Sequence, residues 1–423
     1  MLVLGANYSP EPTGNAPYTS ALSRALVARG ADVRVITTFP HYPGWKVQDG
    51  YSGWSRSETI DGVAVLRVRH YVPGTPTPLR RLLAELSFGV RSAAARWPDA
   101  DVVLLVSPSL FSAAVASARL AVGRRGRRAS PGVVLWTQDL YSLGVRETGT
   151  LSGALARVVR QVERWVVRRA DGVVAIHERF ARHLLDDLGA AAGSVRTVRN
   201  WTHLAPTGET DVRAVREQLG WGEELVVLHA GNQGAKQGLE NVVEAARLAD
   251  GREAPVRFVL LGDGSRRREL MAAAAGVRSI QFVDPLPDDR FTQALRAADV
   301  LLVNELAGLA EMSVPSKLTS YFDAGRPVLA ATSEGSTTAH ELRDSGAGTR
   351  VDAQDPEALL AAALELGADP GRRRELGAAG RRYRVDVLSE EAAVDRFEEW
   401  LARHGGREGA PEGLRGAAAA ATT

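Results

Sequence analysis

Leu225 to Arg247 reads LVVLHAGNQGAKQGLENVVEAAR. Leu225–His229 is an apolar run with strand character. Gly231–Gly238 holds three glycines and one lysine, and from Leu239 to Arg247 apolar residues return at helical spacing. A strand, a glycine-rich loop and a helix in that order make one half of a parallel α/β unit.

The same grammar continues on both sides. Downstream, strands are predicted at Val256–Leu261, Ile280–Val283, Val300–Val303, Pro327–Ala330 and Gly348–Val351, each followed by a helical pattern or a short loop and helix. Upstream, strands are predicted at Leu2–Gly5, Asp32–Thr37, Val63–Arg69, Val102–Val106, Val133–Thr137 and Gly172–Ile176, and Ala16–Arg29 carries a helical stripe of Leu22, Ala25 and Leu26. The pattern predicts two consecutive Rossmann-like, doubly wound α/β domains. The stretch NWTHLAPTGETD, Asn200–Asp211, clusters turn-forming residues before the helix Val212–Gln218 and marks the boundary. The predicted domains are residues 1–203 and 204–385, with a crossover helix at 386–404 and a low-complexity tail at 405–423 that reads as disordered.

At 423 residues, 45% hydrophobic and 24% charged, the chain is long enough to bury two such cores. The absence of cysteine excludes disulfides, zinc–thiolate sites, iron–sulfur clusters and cysteine nucleophiles. MLVLGANYSP runs from a short strand into a loop without the features of a secretory signal, which predicts a cytoplasmic protein. The uncharged run Val102–Ala118 is broken by Pro108 and reads as a buried strand followed by a helix, not as a membrane span. Net charge is +2, but residues 1–200 carry +11 and residues 201–423 carry −9. A basic half points to an anionic membrane surface, a polyanion or a phosphorylated ligand, and charge alone does not choose among them. Nucleic acid is disfavoured, because the basic residues lack interleaved aromatic rings. Only three of the 52 basic residues are lysines, Lys46, Lys236 and Lys317.

In an open α/β sheet, ligands meet the loops beyond the carboxyl ends of the strands, where helix N-termini offer N–H groups to anions. The loop Gly5–Pro17 opens onto a helix, and Gly14 would let backbone approach a ligand closely; a plain connecting loop fits equally well. Gly231–Gly238 supplies close backbone, N–H donors and the point charge of Lys236, as a diphosphate requires, although it is not a Walker A sequence. Gly262-Asp263-Gly264 lacks the third glycine of a dinucleotide fingerprint, which disfavours a hydride-transfer cofactor. Ala310–Leu318 brings Lys317 to a helix start. Glu311 fits either a sugar-hydroxyl acceptor or a solvated carboxylate. Asp99-Ala-Asp101 precedes its strand and so faces away from the functional edge. The eight histidines show no metal-ligand spacing and there is no G-x-S-x-G, so neither a metal centre nor a hydrolase elbow is predicted.

NYSPEPTGNAPYT, HAGNQGAKQGLENVVEAA, LLGDGS and VPSKLTSYFDAGRPVLA, together with HYPGWKVQDGYSGW, YVPGTPTPLRRLL and Asn200-Trp201, follow one another in consistent order from Tyr8 to about Arg403. In this order they resemble the family 4 retaining glycosyltransferases, in particular the colanic-acid and exopolysaccharide branch. The resemblance implies a GT-B fold, with two Rossmann-like domains facing across a cleft and a C-terminal helix near Ser389–Arg403 crossing back to the first. It implies a nucleotide-diphosphate sugar, UDP- or GDP-linked, as donor, with no cofactor and no metal, and as acceptor a glycan linked to a polyprenyl diphosphate or another glycan. On the donor side it implies Gly14, Asn232, Gly234, Lys236, Gly262, Asp263, Gly264, Val283, Glu311, Ser316, Lys317, Leu318 and Ser320. On the acceptor side it implies Thr13, Asn15, Tyr18 and Asp139, and it gives catalytic roles to Lys236, Asp139 and Lys317.

The chain departs from the broader family pattern in three places. Asn232 stands where the family carries a donor-loop arginine, and Lys236-Gln237-Gly238 replaces a Lys-Gly pair. Ser320 replaces the second glutamate of Glu-x7-Glu, whose partner position is Met312 with Glu311 beside it. Gln138 and Asp139 stand where a histidine is common. The family mechanism needs no enzyme nucleophile, since the acceptor hydroxyl attacks from the face the diphosphate leaves, and the leaving phosphate takes its proton. Two alternatives stay open at this point, a non-hydrolysing sugar-nucleotide 2-epimerase and a catalytically silent nucleotide-sugar-binding protein. Arg80-Arg81, Arg124–Arg128 and Arg157, Arg160, Arg164, Arg168 and Arg169 fit either docking on an anionic membrane or solvated helix faces.

Overall fold

The computed structural model describes the chain apart from Thr13, Pro76 and residues 124–129, 144–152, 202–209, 309–315 and 406–423. It divides into two units, one of Met1–Trp201 with Glu390–Thr423 and one of Thr202–Ser389, each built on its own sheet.

The first sheet contains β1 (Leu2–Leu4), β2 (Arg34–Thr38), β3 (Ser55–Ile60), β4 (Val63–Val68), β5 (Val102–Val106), β6 (Gly132–Thr137), β7 (Gly172–Ala175) and β8 (Val195–Thr197). Their order is β3-β4-β2-β1-β5-β6-β7-β8, parallel throughout except for β3 against β4. Strands β1, β5, β6 and β7 are buried on both faces, which is why they read as continuous apolar runs. The sequence patterns missed β3 and β8. SRSETI in β3 is polar because it forms a largely exposed outer edge. Its turn carries the available signal, Asp61-Gly62 with φ of 49° and 80°, a hairpin dipeptide.

Helices α1 (Ala16–Ala28), α2 (Pro78–Ala94), α3 (Leu110–Gly123), α4 (Gly153–Arg169) and α5 (Glu178–Asp186) cover this sheet. The expected passage from buried strand to helix at Val102–Ala118 is β5 and α3. The C-terminal helix Glu390–His404 also packs here, as the fold class requires. Two glycines admit it. A Cβ on Gly132 would lie 1.9 Å from the His404 carbonyl oxygen, and one on Gly172 would lie 2.5 Å from His404 Nε2. Phe397, fully buried, meets Trp136 edge to face at 4.7 Å. The ion pairs Arg24–Glu390, Arg29–Glu398 and Arg196–Glu399 lie at the surface and add little to this burial.

The second sheet contains β9 (Leu225–Ala230), β10 (Val256–Leu261), β11 (Ile280–Val283), β12 (Val300–Asn304), β13 (Val328–Ala331) and β14 (Gly348–Val351), all parallel in the order β11-β10-β9-β12-β13-β14. Numbered within the unit, that order is 3-2-1-4-5-6, with its switch point between β9 and β12. Helices α6 (Val212–Leu219), α7 (Glu240–Gly251), α8 (Arg267–Ala273), α9 (Asp288–Ala297), α10 (Ser316–Ala324), α11 (Thr337–Ser345), α12 (Pro356–Ala368) and α13 (Pro370–Asp386) flank it. They form two apolar cores, one around Leu228, Leu301 and Tyr321 and one around Val227, Leu260 and Leu302. Adjacent strand residues fall in opposite cores, as the pleat requires.

Candidate active site

In the second unit, the loop after β9 is shaped by glycine. Gly231 has φ of +122° and Gly238 of +54°, and Ala235–Gln237 forms a 3-10 turn between them. This turn is fastened to the end of β12. Leu306 N–H donates to the Lys236 carbonyl at 2.9 Å, while the Asn304 amide donates to the Gln237 and Gly238 carbonyls at 2.7 and 2.9 Å. Asn241 from α7 donates to Asn304 Oδ1 at 2.9 Å. The backbone of Lys236 is therefore fixed, while its side chain and that of Asn232 are exposed. Gly234 lies between them, its N–H donating to Gln237 Oε1 at 3.1 Å.

Gly262-Asp263-Gly264 locks into this loop, backbone against backbone. A Cβ on Gly262 (φ +129°) would lie 2.1 Å from the Gly231 oxygen, and one on Gly264 would lie 2.5 Å from the Gln233 carbonyl carbon. Gln233 is fully buried, donates its side-chain amide to the Gly262 carbonyl at 3.1 Å and its N–H to the Asp263 carbonyl at 2.8 Å. Both glycines are thus required by the fold itself. The Asp263 carboxylate is exposed and accepts the Gly264 N–H at 2.8 Å. Val283 ends β11, half-buried, with its carbonyl accepting from Gly262 N–H at 3.0 Å.

The third donor-side segment differs from the expected loop leading to a helix at Thr319. Helix α10 starts at Ser316, so Lys317 and Leu318 occupy its first turn. The Leu318 side chain is fully buried in the core, which leaves only its backbone to face a ligand, and Ser320 is half-buried. Lys317 Nζ lies 3.5 Å from Nε2 of His229, and that same Nε2 lies 3.4 Å from the Asn232 carbonyl. His229 was not singled out in the sequence. Burial first, and the Lys317 charge second, hold its pKa well below the usual imidazole value. With Nε2 unprotonated, a neutral imidazole accepts from the Lys317 ammonium; in the other tautomer the same nitrogen donates to the Asn232 carbonyl, so Nε2 serves one partner at a time. Glu305, also missed, follows β12 as a buried carboxylate that accepts from Thr338 Oγ1 at 2.5 Å and from Thr332 Oγ1. Its signal was the lone acid directly after the apolar run VLLVN. Glu311 and its neighbour Met312 lie outside the described residues.

In the first unit the switch point lies between β1 and β5, and Ser107 after β5 is its hub. The buried Asn15 amide donates to the Ser107 carbonyl at 2.8 Å. Ser107 Oγ donates to the Asp139 carbonyl at 3.0 Å and accepts from the Gln138 and Asp139 N–H groups at 2.9 and 3.2 Å. Asn15 therefore aligns the loops through its amide. Asp139 is half-buried beside it, one carboxylate oxygen accepting the Leu140 N–H at 2.8 Å. Gly14 has φ of +70°, and a Cβ there would touch the Tyr42 ring at 3.4 Å. Tyr18 meets Trp201 edge to face at 5.2 Å, and burial pushes its hydroxyl up to about 12. Thr13 lies outside the described residues, as does the Arg124–Arg128 cluster.

Three glutamates that sequence reasoning did not select pin these loops, Glu11 and Glu163 buried and Glu85 half-buried. Glu11 accepts from the His41 and Tyr42 N–H groups, both at 2.8 Å, and from the Asn7 amide at 2.8 Å. Glu163 accepts from the Tyr141 and Ser142 N–H groups at 2.7 and 3.1 Å. Glu85 accepts from the Phe111 N–H at 3.0 Å and from the Tyr141 hydroxyl, and burial pushes its carboxyl up to about 7. Among the described residues no cluster of His, Asp and Glu is arranged to hold a metal ion, and no helix is long and apolar enough to cross a membrane.

Each unit thus places its site-forming loops at the switch point of a parallel sheet, and comparison with known proteins gives the same partition. The glycosyl transferase 4-like domain profile matches residues 13–201, and the glycosyl transferases group 1 profile matches residues 224–369. The chain is 35% identical over 380 residues to the Escherichia coli protein WcaI, described as a candidate colanic acid biosynthesis glycosyl transferase, covering 85% of this chain and 90% of WcaI. It is 33% identical to the D-inositol 3-phosphate glycosyltransferase of Acidothermus cellulolyticus, over 52% of this chain and 50% of that one. Among solved structures, sucrose-phosphate synthase from Thermosynechococcus elongatus superimposes with a TM-score of 0.65 at 19% identity, covering 95% of this chain and 98% of that one. Anabaena HepE in complex with UDP-glucose superimposes with a TM-score of 0.64 at 17% identity, covering 95% and 100%. The chain belongs to the GT-B glycosyltransferases of the glycosyl transferase 4-like, group 1 family.

Proposed function

We propose that the protein is a retaining enzyme that moves a sugar from a UDP- or GDP-sugar to a hydroxyl of a saccharide acceptor during assembly of an exported or cell-surface polysaccharide. The observation that carries this reading is the cluster of Lys317, His229 and Asn232 at the switch point of the second sheet. As the sugar–phosphate bond breaks, negative charge grows on the leaving diphosphate. Fixed cations and helix N–H groups directed at that charge lower the barrier. Lys317 stands in the first turn of α10 and Lys236 on a backbone-fastened turn. His229, kept neutral, orients the Lys317 ammonium without adding a second positive charge. The acceptor hydroxyl then approaches on the face from which the diphosphate departs. The C1–O bond to phosphate breaks, the C1–O bond to acceptor forms, and a phosphate oxygen takes the hydroxyl proton. Neither an enzyme nucleophile nor a divalent metal is needed for that sequence. Asp139 serves the acceptor hydroxyl, and Ser320 offers the ribose a hydroxyl where the family pattern has a carboxylate.

The name of WcaI supports the polysaccharide assignment, and the UDP-glucose complex of HepE supports a nucleotide-sugar donor. The acceptor in this reading is carried on a polyprenyl diphosphate, with the protein held on the inner membrane face. Leu79, Leu83 and Val90 are exposed along α2, beside exposed Trp54 and Tyr71, with Arg80 and Arg91 among them. Apolar side chains flanked by arginines suit an anionic lipid surface.

The test is turnover with an accepted donor. Lys236→Ala and Lys317→Met should each lower turnover by roughly a hundredfold with unfolding temperatures unchanged, and product NMR should give the donor's anomeric configuration. Inverted product, or activity lost only in step with stability, would refute the mechanism.

A further inference from the structure

Beyond β2, the segment HYPGW, His41–Trp45, contributes rings to the same edge of the first sheet as Gly14 and Asp139. Trp45 has φ of +50°, the left-handed region that a bulky side chain rarely adopts. Such strain persists only where the surroundings over-determine it, and it concentrates at ligand sites. Here the surroundings are explicit. Glu11 clamps the His41 and Tyr42 N–H groups, and the Lys46 N–H donates to the His41 carbonyl at 3.3 Å. The Trp45 indole contacts His41 at 5.7 Å and Tyr42 at 6.2 Å, both edge to face, and the Arg81 guanidinium from α2 lies 5.2 Å from its centroid. His70 backs His41 at 4.7 Å and Phe88 backs His70 at 6.3 Å. Tyr42 and Trp45 remain half-exposed, Arg81 is exposed, and Gly14 lies against Tyr42.

A core would bury these rings fully, and a plain loop would relax the strained tryptophan. Braced, half-exposed rings offer carbon surface to the C–H face of a sugar, and a guanidinium offers paired donors to an oxyanion. We propose that Trp45, with Tyr42 and Arg81, is the acceptor-recognition platform, the rings receiving the acceptor's sugar and Arg81 an anionic group carried by that acceptor. The inference rests on the transferase reading above and assigns its acceptor class, a saccharide bearing a phosphate or carboxylate.

The test separates the two readings by measuring acceptor binding without donor. Calorimetry on the full chain would use three probes, a short-chain prenyl-diphosphate-linked glucose, a methyl-capped glucuronyl disaccharide and its neutral glucosyl counterpart. The wild type should bind one anionic probe at least tenfold more tightly than the neutral one, and which probe it is names the oxyanion. Trp45→Ala should weaken that binding at least tenfold, and Arg81→Gln should erase the anionic preference. Donor affinity should stay unchanged in both variants. Arg81→Gln, at an exposed position, carries the test even where Trp45→Ala fails to fold. Equal binding of all probes that neither substitution alters, or no binding of any, overturns the platform. Transfer from donor in a parallel assay tests the transferase reading by itself.

Discussion

The two switch points solve the same problem with opposite chemistry. In the second unit, the loops after β9 and β10 interlock because Gly262 and Gly264 have no side chain, while Lys236 on the first of them is exposed and Lys317, in the first turn of α10, lies beside a neutral histidine. In the first unit, the loops after β1, β2 and β6 are held by the carboxylates of buried Glu11 and Glu163 and half-buried Glu85, which accept backbone N–H groups. Steric absence shapes the loops after β9 and β10, and carboxylates that accept backbone N–H groups shape the loops of the first unit. Carboxylates are present in the second unit too, Glu305 covered and Asp263 exposed, so the proposed anionic donor depends on the cations Lys236 and Lys317. The proposed acceptor, a saccharide bearing an anionic group, tolerates a framework whose carboxylates accept backbone N–H groups while Arg81 stays exposed.

Substitutions at each framework can break this contrast. The largest effect should come from Gly262→Ala. Its Cβ would meet the Gly231 oxygen at 2.1 Å in a backbone conformation strained for alanine, so unfolding should show a loss of roughly 3–5 kcal/mol together with loss of donor binding. A stable Gly262→Ala protein would mean that the two loops can separate. Next is Glu11→Ala, which strands two backbone N–H groups and an amide. Denaturant titration should show a loss of about 2–4 kcal/mol, and acceptor affinity should fall while donor affinity holds.

Glu85 sharpens the comparison through pH. Its folded pKa of about 7 lies above the ordinary 4.5, so the folded state binds more protons between those values. Stability should therefore fall as pH rises from 4.5 to 7, and the cost should be complete above 7. Glu85→Gln should remove that slope and raise stability at pH 8 by as much as about 3 kcal/mol. An unchanged slope in the variant would assign the titration to another group. The smallest effect should come from Arg29→Ala, which breaks surface pairs with Asp395 and Glu398. It should cost no more than about 1 kcal/mol, since Phe397 and Trp136 dock the C-terminal helix. A larger loss would give the ion pairs a structural weight that the comparison denies them.

The same contrast explains what was legible in the sequence. Parallel strands buried on both faces are continuous apolar runs, so the twelve expected strands appear, with ends shifted by no more than about two residues. Strand β3 is polar and exposed, which left only Asp61-Gly62 to announce it. Glycines and lysines mark loops visibly, and Gly231–Gly238 and Lys317 were found for that reason. His229 lies inside an apolar strand, where its pairing with Lys317, 88 residues away, is invisible locally. Glu11 and Glu163 look like surface acids until the fold buries them, as does Glu85 until it is half-covered.

The most direct test of the central claim is calorimetry of the wild type, Lys236→Ala and Lys317→Met against UDP-, GDP- and dTDP-sugars, with and without EDTA. The account predicts that one donor binds the wild type with EDTA making no difference, and that each substitution weakens it at least tenfold. Binding that requires a divalent metal, or that survives both substitutions unchanged, would contradict it.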